Sequence, residues 1–289
     1  MSAAEASPSP AARLAREAGL ERLGRRPAAG EYVRELWQRR HFLLELSRSR
    51  FRGQNEENRL GLGWVLVRPL LNAVVYGVVF GLLLASSTRP DNFVPFLVIG
   101  IFVFQYFAGC LNDGSKAITS NLGLVRTMHF PRAVLPISVV LQQVYALAPM
   151  MGMAAVVALV FGEPLTWRWL LVVPALVLMT MFCQGVAFVA ARVTLHVRDV
   201  AQLLPFVTRL LFYISGLFYS IERVGLPPAA EAVAMVNPVQ VYITLVRTGL
   251  LTEVQVGWDV WALGIGWAVV TLVGGAVFFW RAEEAYGRE

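Results

Sequence analysis

The residues able to do chemistry are few. His41, His129 and His196 lie far apart without metal-ligand spacing, and each reads as an interfacial side chain. Cys110 and Cys183 fall in apolar stretches with no partner at a metal or redox spacing, and both read as packing residues. One stretch, Gly109 to Lys116 (GCLNDGSK), comes near the phosphate loop G-x-x-x-x-G-K-[ST], in which backbone amides between a strand and a helix cradle phosphate. The match fails, because the lysine is displaced by one residue and the glycines close an apolar stretch. The reading is of a chain with no catalytic set, no metal site and no nucleotide site of its own.

What remains is a cation and a set of rings. Arg209 stands in the middle of an apolar stretch, where an unpaired charge costs several kcal/mol. It is a candidate for the wall of an aqueous pore; the alternatives are a helix that starts late or a bond to a neighbouring carbonyl. Tyr76, Phe102, Tyr106, Phe107, Tyr213, Phe218 and Tyr219 lie within or beside such stretches. Most such rings read as lipid-facing, but a minority lining a pore could stack on the apolar faces of sugar rings and let a polymer slide.

The elements that must position these residues are long and apolar. Of 289 residues 57% are hydrophobic and 15% charged, where a soluble domain carries about 25% charge. No Asp, Glu, Lys or Arg interrupts 93–112, 133–162, 169–191 or 260–280; 64–85 is broken only by Arg68, and 200–221 only by Arg209. A helix needs about 20 such residues to cross hydrocarbon. The runs lack barrel alternation, so the fold class is an all-α polytopic membrane protein with six transmembrane helices. The N-terminus shows no short apolar core with a cleavage site, so the first span is expected to direct insertion.

Basic residues set the orientation. Residues 1–62 hold twelve Arg, and Lys116, Arg126, Arg132, Arg192, Arg198, Arg281 and Arg288 fall on the same side. Arg89, Arg168, Arg223 and Arg247 are assigned to the other. Both termini are therefore expected in the cytoplasm of a bacterial plasma membrane. The net charge of +6 sits where anionic headgroups already attract it, which disfavours nucleic acid as a partner.

Residues 1–30 read as a disordered cytoplasmic tail and 31–59 as an amphipathic interface helix with its linker. Val33, Trp37, Leu44 and Phe51 are set against Arg39, Arg40, Arg48 and Arg50. Residues 60–281 form the six-span domain and 282–289 a cytoplasmic tail. The loop 113–132 is long for a connector and has a possible helix start at Ser120 or Asn121. The segment 222–257, cut by Pro227, Pro228 and Asn237-Pro238, reads as re-entrant or interfacial helices before the last span. None of the six spans contains Asp or Glu, which disfavours ion coupling and membrane catalysis alike. Energy must come from a partner.

Four stretches resemble a known family. Leu60-Gly61, Trp64, Pro69, Tyr76 and Phe80 lie in the first. Ser120, Asn121, Leu124, Phe130-Pro131-Arg132 and Leu135-Pro136 lie in the second. Arg198-Asp199 and the run Ser215 to Tyr219 make the third, and Asn237-Pro238 with the following arginine the fourth. In this order they resemble the permease subunits of polysaccharide ABC exporters, the Wzm/TagG type of the ABC-2 class. Two departures are the QNEENR insertion at 54–59 and Phe104-Gln105 where a Trp is expected.

The resemblance implies a homodimer with two ATP-binding-cassette subunits, which hold the ATP and magnesium. It also implies a pore between the copies and export of a lipid-linked polysaccharide. Arg outnumbers Lys by 24 to 1, which with abundant Ala, Gly and Pro suggests a GC-rich genome. Within this resemblance the leading candidate is then the galactan-lipid exporter of the actinobacterial envelope, beside O-antigen and teichoic-acid exporters. Ser120, Asn121, Leu124, Arg126, Phe130, Pro131, Arg132, Arg198 and Asp199 are the implied contacts with the ATPase. A drug or lipid exporter of the same class and a membrane enzyme acting on lipid-linked sugars are the rival readings.

Overall fold

A computed structural model of the chain describes residues 29–56, 61–83, 90–128, 130–225 and 227–283. The tail expected at 1–30 lies outside the described residues except for Ala29 and Gly30, which open a helix; the end of the 54–59 insertion, Arg89, His129 and residues 284–289 also lie outside them. Every regular element among those described is helical.

Two helices precede the first span, α1 (Ala29–Gln38) and α2 (Arg40–Glu56). Five apolar helical stretches are long enough to cross a membrane: Gly61–Leu82, Phe93–Ser115, Val134–Val160, Trp167–His196 and Trp258–Trp280. The first and second contain α3 (Trp64–Leu83) and α4 (Phe93–Ser115). A six-residue helix, α5 (Leu122–Thr127), follows in the connecting loop. Next come α6 (Val134–Val160) and α7 (Val172–His196), the latter entered through a 3₁₀ turn.

The sixth expected span is cut short. Helix α8 (Val200–Ile214) has 15 residues, about 22 Å at 1.5 Å per residue and so less than the hydrocarbon thickness. It ends in a turn where Gly216 takes φ +60°, a conformation that a side chain disfavours. Three short helices then fold back, as expected for this segment: α9 (Ile221–Val224), α10 (Pro228–Val236) and α11 (Pro238–Leu250). The last span is α12 (Trp258–Trp280).

Asn237 makes the corner between α10 and α11. Pro238 cannot donate a backbone bond, and the Asn237 side chain accepts from the Val239 amide at 3.1 Å while donating to Ser215 Oγ at 3.0 Å. The Asn-Pro pair thus caps one helix and ties it to the turn that ends α8.

Helix α4 is the centre of the bundle, with 78% of its apolar window buried. It packs on α6, α7 and α11. Helices α7 and α12 approach most closely at Gly185 and Gly275, where a Cβ on either would overlap the other helix's backbone. Small residues let helices pack this tightly without a hydrophobic drive from water. By contrast only 11% of the first span's window is buried, and Thr208 is the one buried residue of α8. Leu71, Val74, Val75, Val78, Leu203, Phe206 and Leu210 lie exposed on those two helices.

One assignment from sequence is corrected here: two spanning helices do contain an acid. Asp113 falls in the last turn of α4, where Gln143 of α6 donates to its carboxylate at 2.8 Å, and Asp259 in the first turn of α12. Arg247, assigned from sequence to the outer side in the segment read as re-entrant helices, lies in the last turn of one of them, α11, and is 1% exposed.

Candidate functional site

A groove between α3, α4 and α8 brings polar side chains to an open surface. Its volume is about 470 Å³, and Asn72, Gln105, Asn112, Asp113 and Arg209 share the walls with Tyr76, Phe104, Phe212 and Tyr213. Arg209 is exposed on this wall. The rings around it hold each other in place. Tyr76 lies 5.0 Å from Phe212 and 5.4 Å from Phe218, which stacks on Phe80 at 4.0 Å between centroids.

Of the eight residues proposed from sequence to line a pore, Tyr76, Arg209 and Tyr213 meet in this groove. Tyr219 lies elsewhere, on a cavity of about 490 Å³ beside Gln240, Thr244 and Asp259. Phe102, Tyr106, Phe107 and Phe218 are at most 3% exposed. They face the inside of the bundle, where Tyr106 donates to Thr180 at 2.9 Å and Phe218 packs against Tyr76, Phe80, Phe212 and Tyr213. Asn72, Gln105, Asn112 and Asp113 were not singled out; each is a polar residue within or at the edge of an apolar run, which is the signal that marks them.

A second polar centre lies at the opposite end from the N-terminal helices. Arg247 is caged by carbonyls: its Nε and Nη2 donate to Phe96 O at 3.1 and 2.9 Å, Nη1 to Gly216 O at 2.9 Å, and Nη2 also to Leu217 O at 3.0 Å. The guanidinium lies over the Phe96 ring, 3.3 Å from its centroid. The cage joins α11, the start of α4 and the turn after α8, so that the Ser215–Tyr219 run and the arginine after Asn-Pro meet in space. Nearby, Glu163 accepts from Asn92 Nδ2 at 3.0 Å and from the Thr252 amide and hydroxyl, both at 2.9 Å. Asp91 pairs with Arg223 at 3.1 and 3.3 Å, and that guanidinium holds its carboxyl below the usual carboxylate range.

The third centre is at the basic end and contains most of the loop residues proposed to meet an ATPase. The loop runs through a turn at 116–118, a 3₁₀ turn (Thr119–Asn121) and α5. Ser120 and Asn121 do not cap α5; their side chains donate back to Lys116 O at 2.6 Å and Ala117 O at 2.8 Å. Ser120 is exposed, while Leu124 packs on a buried cluster that includes Phe130, Phe188, Leu195 and Phe279. Phe130 meets Phe42 of α2 edge-on at 5.8 Å, and Pro131 is buried. Arg198 and Asp199 stand exposed in the turn between α7 and α8. Arg126 lies in α5, as expected for the loop helix.

Beside this cluster is a polar junction that sequence did not mark. Tyr32 Oη donates to Glu283 Oε2 at 2.8 Å and accepts from the Ala133 amide at 3.1 Å. Glu283 Oε1 accepts from the Arg132 amide at 3.0 Å and lies 3.6 Å from the Arg132 guanidinium. Burial raises the Glu283 carboxyl above the usual glutamate value, and its bonds to Arg132 and Tyr32 pull it part of the way back. The available signal was an acid following the last span on a side otherwise rich in Arg.

A family model described as "ABC-2 type transporter" matches residues 43–251, from α2 to the end of α11. The chain belongs to the ABC-2 type transporter family. As an ABC-2 permease it is the membrane subunit of a transporter, and it works with an ATP-binding subunit. The chain is also similar to proteins named "O-antigen export system permease protein RfbA". The one from Myxococcus xanthus is 23% identical over 206 residues, which cover 71% of this chain and 78% of the relative. Two from Klebsiella pneumoniae are each 24% identical, over 75% of this chain and 83% of the relative in one case and 58% and 65% in the other. The ABC-2 match spans the groove, the arginine cage and the basic-end loop.

Proposed function

We propose that this chain is the membrane-spanning half of an exporter that moves a lipid-linked polysaccharide outward across the bacterial plasma membrane. A separate pair of ATP-binding-cassette subunits holds ATP and magnesium and hydrolyses the ATP. The glycan is of galactan, O-antigen or teichoic-acid type. The basic end faces the cytoplasm, in line with the retention of Arg and Lys on that side.

The observation that carries the reading is the groove. Asn72, Gln105, Asn112, Asp113 and Arg209 line a concavity beside helices whose outer faces are Leu, Val and Phe. Such a groove open to hydrocarbon would cost several kcal/mol for each unpaired polar group. A second copy, docked through the exposed apolar faces of α3 and α8, closes two grooves into one polar conduit. Tyr76 and Tyr213 then offer ring faces to passing sugars while Arg209 and Asp113 offer donors and acceptors to hydroxyls. The similarity to relatives named as O-antigen export permeases favours a glycan cargo.

Force enters where the loop around α5, together with α2, docks on the ATPase. Depletion of the chain in its native bacterium tests the cargo. The expected outcome is a lipid-linked glycan that accumulates on the inner face, inaccessible to a glycosidase added to intact spheroplasts. Glycan that stays accessible while a drug or simple lipid is retained would replace this reading with that of a drug or lipid exporter.

A further inference from the structure

The contact with the ATPase, as proposed above, involves a short helix that touches the bundle mainly through apolar packing. Such packing is non-directional and lets surfaces slide. A directional link between loop and bundle is the junction of Tyr32, Arg132, Ala133 and Glu283. It joins three segments far apart in sequence: the amphipathic α1, the end of the loop at 132–133, and the end of α12. Tyr32 is 7% exposed and Glu283 5%, and hydrogen bonds in so poorly solvated a place are stronger and more directional than at a surface.

The geometry points to Tyr32 and Glu283 as positioning residues that carry the movement of the loop into α12 and α1 together. Glu283 is suited to this because each oxygen serves a different neighbour, Oε2 the Tyr32 hydroxyl and Oε1 the Arg132 amide. Tyr32 is suited because its one oxygen both donates to Glu283 and accepts from Ala133. A shift of the loop therefore cannot leave α12 in place without breaking at least one of these bonds. The fold does not depend on them, since α12 is anchored independently by its glycine contact with α7 and α1 by Leu36 in the apolar cluster.

The inference rests on the proposed docking of an ATPase at this end. Its test uses the complex of the full chain with its ATPase, reconstituted in vesicles with lipid-linked glycan. Tyr32→Phe and Glu283→Gln should leave the ATPase bound and the melting temperature of the complex close to that of the parent. ATP hydrolysis should stay within about twofold, while glycan exported per ATP falls about fivefold, the scale of one net hydrogen bond. The double variant should be little worse than Glu283→Gln, because both atoms serve one junction.

A second readout needs no cargo. ATP binding should slow amide exchange in 116–134, 29–38 and 276–283 of the parent, and in the variants only in 116–134. Variants in which export and hydrolysis fall in parallel, or in which protection still reaches 276–283, would overturn the assignment. If the parent complex hydrolyses ATP but exports no glycan, the functional reading fails, and the exchange pattern still decides the role of the junction.

Discussion

Arg247 and Arg209 both stand in apolar helices of this protein, and they have opposite surroundings. Arg247 is sealed inside the bundle, with its nitrogens spent on the carbonyls of Phe96, Gly216 and Leu217. Arg209 is exposed on the wall of a groove beside Asn72, Asn112 and Asp113. A buried charge persists only when its surroundings satisfy it, and once satisfied it fixes those surroundings. The first arginine is therefore a structural rivet holding α11 against α4 and the turn after α8. The second is exposed, and in the proposed conduit its donors would face the cargo. An arginine in a membrane segment is thus not functional by depth alone; its partners decide.

The largest break in this comparison should come from Arg247→Leu. It leaves the buried Gly216 and Leu217 carbonyls without their donor, and an unsatisfied buried group costs about 1–3 kcal/mol. Thermal unfolding in detergent should show a melting temperature far below the parent's, with Arg247→Lys intermediate because an ammonium cannot span the three carbonyls. A Leu variant that melts like the parent would remove the rivet from the account.

Gly100→Ala should have the next largest effect, about 1–3 kcal/mol, because a Cβ there overlaps the Arg247 guanidinium. Combined with Arg247→Leu, the added loss should nearly vanish, and a double-mutant cycle reads that coupling directly.

Arg209→Gln sharpens the contrast from the other side. Stability should move by no more than about 0.5 kcal/mol, as for an exposed position. Glycan export by the complex should drop several-fold, and basal ATP hydrolysis should hold. Parallel loss of stability and export would place Arg209 with Arg247 after all.

The smallest effect is one of pH and separates the two ends of the molecule. Glu283 has a raised native carboxyl, so the folded state holds its proton more tightly than the unfolded one. Its contribution is full below the ordinary glutamate value of 4.5 and is lost as pH rises through the higher native value. Asp91, held low by Arg223, has the opposite sign: its contribution is present above the ordinary aspartate value of 3.8 and fades on acidification. Melting temperature against pH should therefore flatten above 4.5 in Glu283→Gln and below 3.8 in Asp91→Asn. A profile unchanged in both variants would contradict the assignment of these groups.

The spanning helices were legible because uninterrupted apolar runs have one structural solution in hydrocarbon. So was the Asn237-Pro238 corner, where Pro238 opens α11 and the Asn237 side chain caps it, although the bond from Asn237 to Ser215 was not. The early end of α8 was not legible, since it depends on Gly216 adopting φ +60° and presenting its carbonyl to an arginine 31 residues away. The place of Asp113 depends similarly on Gln143, 30 residues on. Aromatic residues on α4 could not be sorted by period alone. That helix is buried nearly all round, so Phe102, Tyr106 and Phe107 pack inside, while Gln105 reaches the groove. The junction at Glu283 escaped because its members come from three segments far apart in sequence.

The most direct test of the central claim is transport in sealed vesicles that contain either this chain alone or the chain with its ATPase, with lipid-linked glycan in the bilayer. The account predicts that glycan crosses only when both proteins and ATP are present, and that glycan stimulates hydrolysis. Translocation by the chain alone, driven by a proton or sodium gradient, would contradict it.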